Sequence, residues 1–300
     1  MLHNDKELFR QAVLLTSQNL NIDSGIVEKD YYVTMFLKEL SKFQPNIIFK
    51  GGTSLSKCYN LIKRFSEDID LSLYSENSPT EKQRKELKKN IMEVIKKFGF
   101  SLTNPDAVGS NRKYNKYVID FPSAFEYMSL KQHLIVETSV FVKAYPCEKR
   151  LAGCYIYDYF KQSGKNDIIE EYDLEAFELY VQTLDRTFID KLFALGDYYL
   201  SDKISEHSRH IYDLYKIYPI VKDNENLKAL YNNVRKQRQS HEANLSANEN
   251  VNMRELLQEI VDKEIYKSDY ETITKSLLFE DIPYETAIKS LHDILSSDLL

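Results

Sequence analysis

The sequence lacks tryptophan and has only three cysteines among 300 residues. Cys58, Cys147 and Cys154 are odd in number and contain no Cys-x-x-Cys pair, which argues against a disulfide framework and against a zinc site. The sequence also has no apolar run of about 18 residues and no signal-peptide pattern, so neither a membrane span nor export is indicated. These absences predict a protein of the reducing cytoplasm.

Positive charge is also limited, because 40 lysines and arginines face 46 acidic residues and leave a net charge of −6. The surface as a whole will therefore not attract nucleic acid, and any such contact requires a local basic patch. With 43% hydrophobic and 29% charged residues, the composition is typical of a globular protein. The length allows two lobes, which we expect at residues 1–150 and 151–300.

The most informative stretch begins at Asn46 and reads NIIFKGGTSLSKCYNLIKRFSEDIDLSL. Its short apolar run, residues 47–49, predicts a buried strand. Gly51 and Gly52 then interrupt the strand, since residues without a Cβ permit backbone angles and close approaches that others do not. A helix is expected to follow, and the backbone N–H groups at its start would form a seat for phosphate.

Polar side chains follow this glycine pair. Thr53 or Ser54 is expected to cap the following helix, and Ser54 is also a candidate for phosphate contact. Lys57, one turn into the helix, is either a nucleotide ligand or a surface lysine. Ser66, at the start of the next strand, is either structural or a further nucleotide-binding candidate. The stretch contains no G-x-x-x-x-G-K-[ST] spacing and is therefore not a Walker A loop.

The next predicted strand alternates strictly, with Asp68 and Asp70 on one face and apolar residues on the other. Two carboxylates at this spacing repel each other unless a cation lies between them. Hard oxygen ligands suit Mg²⁺, which proteins hold through one or two carboxylates together with substrate phosphates. A phosphate seat and two metal-binding acids in one strand–helix–strand unit indicate a nucleotidyltransferase that uses two Mg²⁺ ions and an NTP.

A third acid is expected on a neighbouring strand. The pattern of residues 133–142 predicts a strand in which Glu137 interrupts a β-branched run. Such a carboxylate is unusual there unless it forms a salt bridge within the sheet or joins a metal site. Glu137 is therefore a candidate third metal ligand beside Asp68 and Asp70.

Two motifs in this part of the chain resemble those of a known family. Residues 51–57 (GGTSLSK), followed by residues 65–71 (FSEDIDL), resemble the DNA-polymerase-β-type nucleotidyltransferases. The closer resemblance is to the AbiEii/AbiGii toxin branch, which includes the MenT toxins. The resemblance extends to the motifs EKDY at residues 28–31, DKLFAL at residues 190–195 and RHIYDL at residues 209–214.

The resemblance implies a function and two further site residues. It implies the transfer of a nucleoside monophosphate from an NTP to a hydroxyl at the 3′ end of tRNA. The biology would be that of a bacterial toxin that blocks translation and is paired with a separate antitoxin. The matching lysine, Lys191, would contact the nucleotide, and the matching acid, Asp213, would orient that lysine. Apart from the resemblance, Lys191 is typical of a snorkelling lysine and Asp213 of an intrahelical ion-pair partner.

The whole pattern predicts an α/β (α+β) protein with two lobes. The N-terminal nucleotidyltransferase lobe would contain a small mixed β-sheet, the C-terminal lobe would be mainly helical, and the nucleotide would bind in the cleft between them. Residues 80–98 predict an amphipathic helix rich in lysine, which is either a solvated face or an RNA-contacting surface.

Two other function classes stay open. A nucleotide-dependent regulator that phosphorylates or nucleotidylates a protein would fit the acidic net charge better than an RNA-modifying enzyme does. A degenerate nucleotide-binding module is disfavoured, because the chain retains both Asp68 and Asp70. The acceptor that becomes labelled from an NTP would distinguish these classes.

Overall fold

The computed structural model describes residues 1–66, 68–75, 77–125 and 133–300. Glu67, which is part of the second motif, lies outside the described residues. The chain forms two compact units, the first of residues 1–59 and 66–181, the second of residues 60–65 and 182–300. The first unit is built on a mixed β-sheet and the second consists mainly of helices, which confirms the predicted fold class.

Seven strands in the described residues form one sheet, in the order β3-β4-β5-β2-β1-β7-β6. They are β1 (Ile47–Lys50), β2 (Asp68–Leu73), β3 (Ser101–Leu102), β4 (Tyr114–Asp120), β5 (His133–Ser139), β6 (Cys147–Ala152) and β7 (Phe177–Gln182). Strand β2 pairs antiparallel with β1 and parallel with β5, so the two predicted acids lie on an inner strand.

The first unit also contains six α-helices in the described residues. They are α1 (Lys6–Leu20), α2 (Ser24–Phe43), α3 (Gly51–Lys57), α4 (Glu81–Lys97), α5 (Tyr155–Gln162) and α6 (Asn166–Glu171). The apolar stripe of α4, which includes Ile91 and Val94, joins one core with the α2 side chain Phe36. The Thr80 side chain begins α4 with a capping box, because it accepts from the backbone of Gln83 and Gln83 bonds back to Thr80.

The alternation of β2 decides which side chains enter that core. Ile69 and Leu71 are fully buried in the same cluster as the α2 and α4 side chains. Asp68 and Asp70 alternate with them, so they lie on the opposite face of the sheet and are half-buried. The predicted alternation is confirmed, and we call the sheet face of Asp68 and Asp70 the acid face.

The second unit is helical. Its helices are α7 (Leu184–Leu200), α8 (Arg209–Val221), α9 (Leu227–Arg238), α10 (Met253–Asp262), α11 (Lys267–Asp269), α12 (Lys275–Leu277), α13 (Tyr284–Ala287) and α14 (Lys289–Ser296). Helix α7 packs against α8, and both contribute fully buried side chains such as Leu192 and Leu214. None of the helices in the described ranges combines the length and hydropathy that crossing a membrane requires.

Strands β3, β6 and β7 were not anticipated from the sequence. Residues after 152 were expected to be mostly helical, but residues 177–182 form β7, which pairs parallel with β1. Leu179 and Val181 of this strand are buried. Their alternation is too short to distinguish a strand from the helical pattern of the flanking sequence. Contacts assign residues 182–300 to the second unit, and the assignment of residues 1–150 and 151–300 as domains stays a prediction.

Candidate active site

A close backbone approach marks the junction of β1 and α3. Gly51 has a φ of +77°, and a Cβ at this position would lie 2.1 Å from Oδ2 of Asp70. Glycine is therefore required for two reasons, because its conformation is strained for other residues and because the Asp70 carboxylate occupies the space of a side chain. The first motif thus places its backbone against the second motif, and Gly52 is the next residue of α3.

The register of four strands places charged residues in a row on the acid face. Asp70 is opposite Glu137 in the pairing of β2 with β5, and opposite Lys50 in the pairing of β2 with β1. Glu137 is in turn opposite Lys116 on β4, whose Nζ lies 3.1 Å from Oε1 of Glu137. The row runs Lys50, Asp70, Glu137 and Lys116, so two acids lie side by side between two lysines.

The donor set fits a hard divalent cation. Asp68 and Asp70 offer two half-buried carboxylates on one strand face, which suits Mg²⁺ held by protein acids and substrate phosphates together. No group of three histidine, cysteine or acidic residues close enough to hold a metal ion occurs in the part of the chain that the structure describes. Glu137 pairs with Lys116, and its role as a third ligand stays a prediction.

The hydroxyl groups of α3 are engaged in local hydrogen bonds. Ser54 is fully buried and its Oγ donates to the Gly51 carbonyl at 2.8 Å. Thr53 Oγ1 lies 2.9 Å from Oγ of Ser66, which links α3 to the residues just before β2. The prediction that Thr53 or Ser54 caps the helix is wrong, because α3 already begins at Gly51 and the N-cap position is held by Lys50.

Lys57 is a buried structural partner of the EKDY motif. Its Nζ contacts Oδ1 of Asp30 at 2.5 Å and also donates to the Asp30 carbonyl and to Thr34. Asp30 in addition accepts from the backbone N–H of Tyr155, and Glu28 accepts from Ser123. The EKDY motif therefore anchors α3 to α2, and the nucleotide contact expected for Lys57 stays a prediction.

A second charged cluster lies in the helical unit. Asp213 is fully buried and accepts two hydrogen bonds from Arg64, one from Nε at 2.7 Å and one from Nη2 at 2.8 Å. The Nζ of Lys191 donates to the same carboxylate. The structure thus brings Lys191 and Asp213 together, and the nucleotide role expected for them stays a prediction.

The charges within this cluster oppose the effect of burial. Burial by itself would raise the pKa of Asp213, but the neighbouring Arg64 and Lys191 outweigh it and hold that pKa well below the usual range. Burial lowers the pKa of Lys191, and the Asp213 carboxylate opposes that shift. One carboxylate thus faces two basic side chains, Arg64 and Lys191, in the same buried cluster.

Arg64 was missed from the sequence, where it is only one of two basic residues before the second motif. The segment that carries it belongs to the helical unit. The Lys63 N–H donates to the Tyr212 hydroxyl at 2.9 Å, and the Phe65 N–H donates to the Leu277 carbonyl at 2.9 Å. The sequence shows only that Arg64 lies four residues before Asp68. It contains no pattern that links Arg64 to Asp213.

Comparisons with known proteins agree on the family and the fold. Residues 36–294 match the family described as "Nucleotidyl transferase AbiEii toxin, Type IV TA system". No curated protein matches the chain in sequence. A solved structure of similar fold is MenT4, a nucleotidyltransferase toxin from Mycobacterium tuberculosis H37Rv, with a TM-score of 0.54 and 16% identity. The similarity covers 95% of this chain and 88% of MenT4, and at this identity it shows a shared fold.

Proposed function

The chain belongs to the AbiEii family of nucleotidyltransferase toxins from type IV toxin–antitoxin systems, and on that basis we propose that it transfers NMP from an NTP to the 3′ end of tRNA. The nucleotidyltransferase activity follows from the family, whereas the tRNA acceptor and the metal are our proposal. The observation that carries the proposal is the approach of Gly51 to Asp70, which joins the predicted phosphate seat to the predicted metal acids.

The reaction replaces a phosphoanhydride bond of the NTP with a phosphodiester bond. The oxygen of a 3′-hydroxyl attacks the α-phosphorus of the NTP, the bond from that phosphorus to the bridging oxygen of the β-phosphate breaks, and pyrophosphate leaves. Glu137, beside Asp70 in the row on the acid face, positions the hydroxyl and takes its proton. The product is an RNA extended by one nucleotide, which can no longer accept an amino acid at its original end.

Asp68 and Asp70 are the residues that would hold Mg²⁺. When bound, the ion neutralises phosphate charge and stabilises the attacking and leaving oxygens. The backbone of Gly51 and Gly52 binds the triphosphate through its N–H groups, while Ser54 and Lys57 orient α3 through their internal hydrogen bonds. This division reassigns Ser54 and Lys57 from nucleotide contact to support.

Lys191 and Asp213 retain the roles that the family resemblance implies. Lys191 neutralises charge on the triphosphate as it increases towards the transition state, and Asp213 holds the lysine in one position. Arg64 also holds the Asp213 carboxylate in place, because it donates a hydrogen bond to each of its two oxygens. Two basic side chains around one carboxylate favour an anionic ligand.

The proposed biology is growth arrest in the cytoplasm, where NTPs and tRNA are found. Transfer of a nucleotide to the tRNA 3′ end would block aminoacylation and so translation. An antitoxin encoded separately would counteract the enzyme, as the type IV family description implies.

The experiment that tests this function measures which molecule receives a radioactive label from the α-phosphate of the NTP. Purified protein is incubated with Mg²⁺, each α-labelled NTP in turn, and either total tRNA or cell lysate, and the products are separated on denaturing gels. We expect label on tRNA with one preferred NTP and none after addition of EDTA. Label on a protein band alone would replace the RNA acceptor with a protein acceptor, and no labelled band at all would contradict the transfer.

A further inference from the structure

Five exposed residues, at or near the start of β4 and just after the end of β5, combine aromatic rings with positive charge. We call Lys113, Tyr114, Lys116, Phe141 and Lys143 the aromatic–basic patch. The Tyr114 and Phe141 side chains are 41% and 40% exposed, although both are large and partly apolar. Lys113 holds its Nζ 5.9 Å from the centre of the Phe141 ring. The patch carries three lysines in a chain whose net charge is −6.

The strand register places this patch next to the candidate catalytic acids. Tyr114 and Lys116 lie on β4 opposite Ser139 and Glu137 of β5, and Glu137 is opposite Asp70. Tyr114 also interacts directly with this acid cluster. The Tyr114 side chain is hydrogen-bonded to Glu137. The patch therefore begins where the row of charges on the acid face ends.

This composition matches the chemistry of unpaired nucleic acid. Exposed aromatic rings stack on bases that are not held in a duplex, and lysines between them bind the phosphodiester backbone. A protein ligand with an acidic surface would match the lysines but would have no need for two exposed rings. The proximity to Glu137 and Asp70 further restricts the ligand to one whose end must reach the reacting phosphate.

The lysine-rich helix α4 does not share these properties. Its apolar stripe belongs to the core cluster with Ile69 and Leu71, so α4 lies on the sheet face opposite to Asp70. Part of its charge is also used within the protein, since Lys85 pairs with Glu81 and Lys88 donates to a backbone carbonyl. The helix contains no aromatic residue. Of the two basic surfaces, only the aromatic–basic patch borders the acids.

We propose that the aromatic–basic patch binds the unpaired nucleotides at the 3′ end of the RNA acceptor, an inference that rests on the proposed function. Phe141 and Tyr114 stack on bases, and Lys113 and Lys143 bind the phosphates that follow. The terminal hydroxyl is thereby directed along β4 towards Glu137. Lys116 has a separate task, because it holds the Glu137 carboxylate.

The test compares two matched pairs of variants and leaves Tyr114 and Lys116 intact. Lys113→Ala/Lys143→Ala removes two charges from the patch, and Lys82→Ala/Lys89→Ala removes two exposed charges from α4. Phe141→Ala removes a patch ring, and Phe43→Ala removes a ring that is 48% exposed elsewhere in the same unit. Binding of a fluorescent 12-nucleotide single-stranded RNA with a free 3′-hydroxyl is followed by anisotropy at several salt concentrations.

The patch variants should lose RNA affinity while the controls retain it. Affinity falls as salt rises, so the slope of log affinity against log salt is negative. Loss of two phosphate contacts should make this slope less steep by about 1.4. Loss of the Phe141 ring should weaken binding between about fivefold and a hundredfold. Equal losses in the α4 or Phe43 controls, or unchanged binding by the patch variants, would overturn the inference.

Two further readouts separate this inference from the proposed function. Affinity for NTP, measured with Mg²⁺ present, should be the same in all variants, and a selective loss in the patch variants would reassign the patch to the donor base. Transfer of label to RNA by the unmodified protein, with the patch variants equally active, would overturn only the inference. RNA binding that depends on the patch, with no transfer from any NTP, would support the patch and contradict the function.

Discussion

The candidate site acids of the two units, Asp68 and Asp70 in the first and Asp213 in the second, lie in different surroundings. In the first unit, Asp68 and Asp70 lie half-buried on one strand face at a spacing that brings like charges together. In the second unit, Asp213 is fully buried and is neutralised by the side chains of Arg64 and Lys191. In the first arrangement two carboxylates lie on one strand face, and in the second one carboxylate bonds to two basic side chains.

From this difference we expect Asp68 and Asp70 to act mainly in ligand binding, whereas Asp213 also stabilises the fold. Removing a member of the first pair relieves repulsion, so the folded state should tolerate it. Removing Asp213 leaves two cations buried without their shared partner, which typically costs about 3–5 kcal/mol. Activity and stability should therefore respond in different proportions to substitutions in the two clusters.

The largest expected effect is on transfer in the first unit. Asp68→Asn and Asp70→Asn should each reduce transfer of labelled nucleotide to the level of a sample without enzyme, because the metal loses a charged ligand. The free energy of unfolding, measured in urea, should be unchanged or slightly higher. Near-normal transfer by either variant would remove the basis for a metal-dependent reaction at these acids.

A substitution that adds a single methyl group should act through Asp70. Gly51→Ala places a Cβ against the Asp70 carboxylate and also strains the backbone. Displacement of a reacting group by about 1 Å can lower a rate about a hundredfold, and we expect a loss of that order in transfer. Gly164→Ala is the matched control, since Gly164 has a φ of +71° and open space at the Cβ position. If both variants lose activity equally, the effect comes from backbone strain alone.

Within the second cluster, Lys191 and Asp213 should separate function from stability. Lys191→Met should lower turnover on the order of a hundredfold, because a charged group that acts on the triphosphate is lost. Its free energy of unfolding should change much less, since Asp213 keeps both hydrogen bonds from Arg64. Asp213→Asn should reduce both quantities, and the activity losses of the double variant should be less than additive. Unchanged turnover in Lys191→Met would leave the helical unit as a scaffold only.

The smallest effect concerns pH. The pKa of Asp213 is lower in the folded protein than in the unfolded chain, where it is about 4. Its ionised form therefore contributes stability that is fully present above that pH and is lost as the pH falls towards the folded value. Urea unfolding at pH 7 and pH 3 should show the difference between the unmodified protein and Asp213→Asn becoming smaller at pH 3. A constant difference would mean that the carboxylate charge is not what stabilises the cluster.

The parts of this structure that follow from local pattern were predictable from the sequence. The alternation around Ile69 identified the face of β2 that carries the acids, and the glycine pair at 51–52 indicated a close backbone approach, whose partner Asp70 only the structure shows. The resemblance to a known family supplied Lys191 and Asp213, which periodicity alone would have assigned to an ordinary helix.

The parts that depend on distant partners were not predictable. Arg64 binds Asp213 across 149 positions of the chain, and Lys57 binds Asp30 on another helix. Neither pairing leaves a periodic signal in the sequence. The start of α3 was misplaced for a related reason, because the Ser54 hydroxyl bonds to the Gly51 carbonyl within the helix and not to a free N–H group at its start.

The most direct test is metal-dependent binding of an NTP analogue that cannot be cleaved, measured by calorimetry. If Asp68 and Asp70 hold the metal and the triphosphate together, the unmodified protein should bind the analogue with Mg²⁺ and lose it with EDTA. Asp70→Asn should abolish this binding, whereas Lys191→Met should weaken it and retain its Mg²⁺ dependence. Binding by Asp70→Asn with the affinity and Mg²⁺ dependence of the unmodified protein would contradict a metal site at these acids.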